Sequence, residues 1–141
     1  GLASVADDTI LEVDYLNGDP GLFTARYAGE HATYKQNMDM LLKNLNGVER
    51  KMRKARFRTV ISYVDGINDF HVEGVLKGEI LTNKIGKNGF GYDPIFYVKK
   101  FDKSLAQIDL SIKNEISHRG LAIKKFVSKI SELNKWRKSL S

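Results

Sequence analysis

Gly89-Phe90-Gly91-Tyr92-Asp93-Pro94, continued by Ile95-Phe96-Tyr97-Val98, has the composition of a ligand loop feeding a strand. Glycines on both sides of an aromatic ring permit positive φ and let the backbone approach a flat ligand, while Phe90 offers a stacking face. Asp93 adds an acceptor beside that ring. Pro94 pushes Asp93 toward an extended backbone, which fixes where the carboxylate points. The apolar run that follows anchors the loop. Taken alone the hexapeptide is equally compatible with a glycine-rich β-turn, so the segments around it decide.

Residues 82–88 form a polar, glycine-containing approach to this loop. Before them, Thr59-Val60-Ile61-Ser62-Tyr63-Val64, the turn signal Asp65-Gly66 and the returning run 68–80 predict a β-hairpin whose second strand is interrupted at Gly74 and Gly78. Its lead-in interleaves Lys51, Arg53, Arg56 and Arg58 with Ala55 and Phe57. That pattern suits a charged strand face that discourages edge pairing, or alternatively a nucleic-acid stripe. Residues 33–46 predict a helix: Thr33 and Gln36 have capping-box spacing, Met38, Leu41, Leu42 and Leu45 make an apolar stripe, and Gly47 suits the position beyond its end.

At the N-terminal side, Val5-Ala6-Asp7-Asp8-Thr9 places two adjacent carboxylates at the end of a short apolar stretch, and residues 10–16 alternate like a strand with Glu12 and Asp14 on one face. Paired acids at a strand end suit a magnesium ion, or else a solvated turn. Neighbours on an extended chain point to opposite sides, so only one of Asp7 and Asp8 can face a given cleft. Asn17-Gly18-Asp19-Pro20-Gly21 is a turn cluster, followed at 22–29 by a helical turn expected to carry Arg26 toward the loop's ligand. On the C-terminal side, residues 99–103 turn, 104–108 make one helical turn, and Asp109 caps a long amphipathic helix with Ile112, Ile116, Ile123, Phe126, Val127, Ile130 and Leu133 on its apolar face. Within that helix Lys113, His118 and Arg119 are potential phosphate or base donors. Gly120 costs a helix about 1 kcal/mol relative to Ala, which points to a close approach there.

A chain of 141 residues has the size of one domain, here taken as 1–141, and 42% hydrophobic with 28% charged residues excludes disordered and fibrous classes. The absence of cysteine excludes disulfides and thiolate metal sites and fits a reducing cytoplasm. No apolar run is long enough for a bilayer and no charged-then-apolar leader is present, so a soluble cytoplasmic protein without a membrane partner is expected. The net charge of +6 selects an anionic partner: a nucleotide, a nucleic acid or a membrane surface. Gly1-Leu2-Ala3-Ser4-Val5 runs at once into a patterned segment without a Met, as a chain that begins inside a fold would.

Four segments in fixed order go further: Ala6-Asp7-Asp8-Thr9 with Leu11-Glu12-Val13-Asp14; Asn17-Gly18 through Pro20-Gly21 to Ala25-Arg26-Tyr27-Ala28-Gly29; Gly89-Phe90-Gly91-Tyr92-Asp93-Pro94; and Ser117-His118-Arg119-Gly120. The ordered set resembles the inosine/xanthosine triphosphate pyrophosphatase family from Val5 into the C-terminal helix. The resemblance implies an elongated, two-lobed α/β fold with a long twisted mixed sheet, a nucleotide cleft between lobes and a homodimer. It implies Mg2+-dependent hydrolysis of ITP, dITP and XTP to monophosphate and pyrophosphate. By similarity Asp8 would be the general base and metal ligand, Thr9 would contact substrate, Phe90 would stack on the purine and Gly91, Tyr92 and Asp93 would shape the base pocket. Lys113 would approach the nucleotide, and His118 and Arg119 would read the base edge. Two departures stand against the family pattern. Ile10 replaces a glycine after the acidic pair, and the family's N-terminal phosphate grip is missing, which would leave an open sheet edge. The alternatives are a catalytically incompetent nucleotide-binding remnant and, third, a basic nucleic-acid-binding module.

Overall fold

From Lys54 to Val64 the chain alternates: Ala55, Phe57, Thr59, Ile61 and Tyr63 are buried, and the residues between them are not. A period of two with one buried face makes a strand lying on a core. It is the third strand, β3, of a six-stranded sheet that also contains β1 (Ser4–Val13), β2 (Pro20–Gly21), β4 (Asp69–Ile80), β5 (Phe96–Val98) and β6 (Lys103–Ser104). The spatial order is β2-β1-β3-β4-β5-β6. This computed structural model describes the backbone of residues 3–116 and 118–140 and the side chains of residues 3–113 and 119–135. The α/β class is as expected, while the sheet expected to be mixed is antiparallel in every described pairing.

The hairpin pairs Lys54 with Glu79 at one end and Val64 with Asp69 at the other. Its turn is organised by Asp65, whose carboxylate accepts from the backbone N–H groups of Asn68 (2.6 Å) and Ile67 (3.0 Å) and from the Tyr63 hydroxyl (2.9 Å). The expected interruptions in β4 are absent. The strand continues through Gly74 and Gly78, and Gly78 serves packing instead, since a Cβ there would come within 2.5 Å of the Phe96 ring. β1 also differs from expectation. It pairs with β3 from Ser4↔Val64 to Val13↔Ala55, so Asp7 and Asp8 lie within a strand and not at its end. The strand stops at Val13 because the chain reverses at Asn17 (φ 56) and Gly18 (φ 96), with Gly18 N–H donating to Val13 O and Val13 N–H to Asp19 O, both at 3.0 Å.

Three helices flank the sheet: α1 (Tyr34–Asn44), α2 (Leu110–Ile116) and α3 (His118–Leu140), with Ser117 outside the described residues. α1 starts as its sequence dictates, Thr33 and Gln36 forming a reciprocal capping box, and it buries Asn37, Met38 and Leu41. α3 packs on β3 and β4 through the rings of Tyr63, Phe70 and Phe126, whose centroids lie 5.0 to 6.3 Å apart. The core joins Leu11 and Val13 of β1 to Leu41, Leu45, Ile80, Ile95 and Phe96. No helix among the described residues is long and apolar enough to cross a membrane.

The basic lead-in to the hairpin resolves into structure. Arg53 is 2% exposed and donates to the carbonyls of Leu45 (2.7 Å), Ile80 (2.7 Å), Leu81 (2.8 Å) and Val48 (3.4 Å), tying the end of α1 to the end of β4. Burial holds its pKa below the ordinary guanidinium value. Arg56 pairs with Glu12 at 2.9 Å and Arg58 lies 3.5 Å from Glu12 and 3.9 Å from Glu73. These are a charged sheet face with its own counter-charges, not a stripe presented to nucleic acid.

Candidate functional site

The loop that precedes β5 is clamped at both ends. Ile85 N–H donates to Pro94 O (2.9 Å), Asn88 N–H to Ala106 O (3.1 Å) and Ser104 Oγ to Ile85 O (2.6 Å). Between the clamps, Gly89 (φ +80) and Gly91 (φ +63) hold left-handed backbone and lift Phe90 to the tip, 65% exposed. Asp93 folds back beneath it. One oxygen of its carboxylate, Oδ2, accepts from Phe90 N–H at 3.1 Å and from Lys113 Nζ at 2.5 Å. Both charged side chains are nearly buried, at 8% and 12% exposure. The Lys113 ammonium lies 5.0 Å from the Phe90 ring centroid, within range of the ring's negative face. Hence one carboxylate positions both the aromatic platform and the cation beside it.

The opposite wall comes from the turn after β2. Thr24 Oγ1 accepts from Leu11 N–H at 2.9 Å and donates to Gly21 O at 2.5 Å. Asn37, fully buried on α1, accepts from Ala28 N–H (2.9 Å) and donates to Ala25 O (3.1 Å), so the helix fixes the turn. Tyr92, 4% exposed, donates its hydroxyl to Thr24 O at 2.7 Å and ties the two walls together. Burial, with a smaller contribution from Tyr27, pushes the Tyr92 pKa up, which keeps the phenol a neutral donor.

Together these elements enclose a cleft of about 350 Å3 that contains Thr9, Phe90, Gly91, Tyr92, Asp93, Lys113 and Arg119 among its lining residues. Asp8 is not with them. Thr9 Oγ1 bonds Thr59 Oγ1 at 2.9 Å on the cleft side of the sheet, and Asp7 pairs with Arg119 at 2.8 Å, so Asp8 between them projects to the other face. It has no ion-pair partner among the described residues. The His118 side chain lies outside the described residues. Arg26, expected to reach the cleft, lies over the Phe23 ring at 5.3 Å instead, and Thr24 and Ala25 of its turn line the cleft. Sequence reasoning also missed Asp7 as the partner of Arg119, and it missed Tyr34 and Asn37. Asn37 left a signal, a polar residue on an otherwise apolar helix face.

Among the described residues no three His, Asp or Glu side chains stand together as a metal cage. Asp8 offers a single carboxylate. A magnesium ion is commonly held by one or two carboxylates with phosphate oxygens and water completing the shell, so the residues present fit Mg2+ when an anionic ligand shares it. A second hollow of about 430 Å3 lies among Lys54, Arg56, Lys77, Glu79 and Lys99. No aromatic residue lines it, and its Asp14 and Glu79 are already paired with Arg56 and Arg50.

Comparison with known proteins gives this cleft a setting. The profile of the Ham1 family matches residues 1–129. A dITP/XTP pyrophosphatase of Caldanaerobacter subterraneus subsp. tengcongensis is 49% identical over 133 residues, covering 92% of this chain and 66% of that protein. Another, from Thermoanaerobacter pseudethanolicus, is 53% identical over 121 residues, covering 86% of this chain and 61% of that one. The solved Ham1 protein of Staphylococcus aureus superposes with a TM-score of 0.88 at 43% identity, over 92% of this chain and 67% of its own. That of Coxiella burnetii gives 0.88 at 39%, over 94% and 68%. The chain therefore spans somewhat under two thirds of the length of these two curated relatives.

Proposed function

The chain belongs to the Ham1 family, and from that premise we propose that it serves the Mg2+-dependent hydrolysis of deaminated purine nucleoside triphosphates (ITP, dITP and XTP) to the monophosphate and pyrophosphate. The names of its relatives support the substrate class. The observation that carries the reading here is the unit Phe90–Asp93–Lys113: an exposed ring for a flat base with a cation held beside it by a nearly buried carboxylate. Arg119 adds donors at the same cleft, and His118 is proposed to join it in reading the base edge. Donors aimed at a purine 6-oxo group meet another donor when a 6-amino base enters, and a buried unsatisfied polar group costs about 1–3 kcal/mol, enough to select against ATP.

The acidic pair of β1 presents one carboxylate to each face. Asp7 is committed to Arg119, whereas Asp8 is exposed and makes no ion pair among the described residues, which leaves it free for the role of base or metal ligand. We assign Asp8 the proton of the attacking water. The new bond forms between that water oxygen and the α-phosphorus, the bond from that phosphorus to the bridging oxygen breaks, and pyrophosphate leaves. Mg2+ held by Asp8 and phosphate oxygens would neutralise the triphosphate's charge. For a base on Phe90 and phosphates at Asp8, the polyphosphate has to cross the edge of β1. That edge has no strand beside residues 4–10 among the described residues, since β2 pairs only with Leu11 and Glu12. A homodimer acting on the cytoplasmic nucleotide pool completes the proposal.

A second reading, nucleotide binding without turnover, is favoured by the placement of Asp8 away from the cleft. Pyrophosphate release from ITP with Mg2+, run beside ATP and beside Asp8→Asn and Asp7→Asn, separates the two. Selective turnover abolished by Asp8→Asn supports hydrolysis. Binding of ITP without turnover in any variant supports the second reading, and equal turnover of ITP and ATP sinks the first, while no binding of ITP sinks both.

A further inference from the structure

We propose that Tyr34 is the second wall of the base site, so that a purine entering the cleft is held between its ring and that of Phe90; this rests on the nucleotide reading above. Tyr34 is the first residue of α1, directly after the capping residue. The capping box, Gln36 N–H to Thr33 Oγ1 at 3.1 Å and Thr33 N–H to Gln36 Oε1 at 2.8 Å, fixes the helix start and hence the point from which the ring projects. Its ring lines the same cleft as Phe90, with the centroids 6.4 Å apart and the planes inclined at 44°. Carbon atoms in contact lie about 3.5–4 Å apart, so a flat base between two parallel rings needs a gap of about 7–8 Å. The observed spacing falls about 0.6–1.6 Å short of that gap. The two glycines beside Phe90 give the loop tip the backbone freedom to supply the difference.

Exposure supports the assignment. Tyr34 is 55% and Phe90 65% exposed, whereas Tyr92 and Phe57, also in the cleft lining, are 4% and 5% exposed. The two buried rings belong to the core, and the two open ones form a tilted pair at the cleft mouth that a base would have to part. The Tyr34 hydroxyl has no hydrogen-bond partner among the described residues, so the ring is not held in place for the sake of that group. Stacking between a base and an aromatic side chain is sequence-tolerant, so Tyr34 contributes affinity for purines in general and leaves the choice among them to the donors at the cleft.

The test is binding of ITP and of inorganic triphosphate to the full chain and to Tyr34→Ala, Tyr34→Phe and Phe90→Ala. Loss of one stacking partner corresponds to a weakening of about 5- to 150-fold, and Tyr34→Ala should show it for ITP but not for inorganic triphosphate, which has no base. Tyr34→Phe should restore the parent affinity, because it keeps the ring. An unchanged thermal midpoint in Tyr34→Ala separates stacking from a folding defect. If Phe90→Ala weakens ITP and Tyr34→Ala does not, the second wall is refuted while the nucleotide reading stands. Equal weakening of ITP and inorganic triphosphate by Tyr34→Ala also refutes stacking. If the parent chain binds no ITP, the nucleotide reading falls and this inference falls with it.

Discussion

A methyl group placed at residue 89 would strike the Asp93 carboxylate, and the same change two residues on would strike nothing. Both glycines hold left-handed backbone, φ +80 at Gly89 and φ +63 at Gly91, so an alanine at either pays about 1–2 kcal/mol for the conformation alone. At Gly91 no heavy atom lies within 4 Å of the added Cβ. At Gly89 the Cβ would overlap Asp93 Oδ2 and come within 3.1 Å of Lys113 Nζ. That oxygen accepts both Phe90 N–H and Lys113 Nζ, so a carboxylate that is 8% exposed has to rotate away from both partners. Hydrogen bonds involving a charged group contribute about 1.5–3 kcal/mol each, so Gly89→Ala should be less stable than Gly91→Ala by at least about 1.5 kcal/mol. The difference is read from urea unfolding midpoints of the two variants at matched slopes. In a double-mutant cycle, Lys113→Met should cost less in the Gly89→Ala background than in the parent, because the pair is already broken. Stabilities of the two alanine variants within about 0.5 kcal/mol of each other would refute the claim that Asp93 holds the loop and Lys113 as one unit.

Two further predictions concern the scaffold. Arg53→Met leaves the carbonyls of Leu45, Ile80 and Leu81 without their donor in a site closed to water, and at about 1–3 kcal/mol for each unsatisfied group the loss should reach about 3–5 kcal/mol. Arg53→Lys should recover only part of it, since one ammonium cannot reproduce the guanidinium fork; a loss below about 1 kcal/mol in urea unfolding of Arg53→Met would show that water replaces the side chain. Asp65 has its pKa lowered, first by the Asn68 backbone N–H and then by Ile67 N–H, the Asn68 amide and the Tyr63 hydroxyl acting against desolvation. A depressed carboxylate pKa contributes stability that is fully present above the unfolded value of about 3.9 and is lost as pH falls through the folded value. Asp65→Ala should therefore be less stable than the parent at neutral pH, and the gap should close as pH falls below about 4; a gap that stays constant with pH would remove the carboxylate from the argument.

Local signals in the sequence transferred directly to the structure because the interactions behind them are local. The Thr33–Gln36 capping box spans one helical turn, the Asp65-Gly66 reversal closes on Asn68, and the strict alternation from Lys54 to Val64 needs only a core on one side. What the sequence could not supply is set by pairing across distance. Arg53 sits in a run of basic residues and looks like its neighbours until Leu45, Ile80 and Leu81 close around it. Tyr34 and Phe90 are adjacent only because α1 and the 81–95 loop meet at one cleft, and no periodicity links them.

The acidic pair shows why the catalytic assignment turns on a non-local fact. That Asp7 and Asp8 point to opposite faces follows from the extended chain alone, but which of them meets the cleft depends on the register of β1 against β3. A slip of one residue would exchange them. The register is fixed on the cleft side by the Thr9–Thr59 hydrogen bond and by Leu11 and Val13 in the core, a burial that a slip would turn out to solvent. With the register so held, Asp7 neutralises Arg119 and Asp8 remains without a described ion pair on a stretch of sheet edge where no described strand pairs. A carboxylate already paired with a guanidinium is a poor proton acceptor, whereas an exposed one on an open edge is free to accept a proton or to hold a metal ion. On the function proposed above, the same strand would separate base recognition on one face from phosphate chemistry at its edge, with the two aspartates dividing those duties between them.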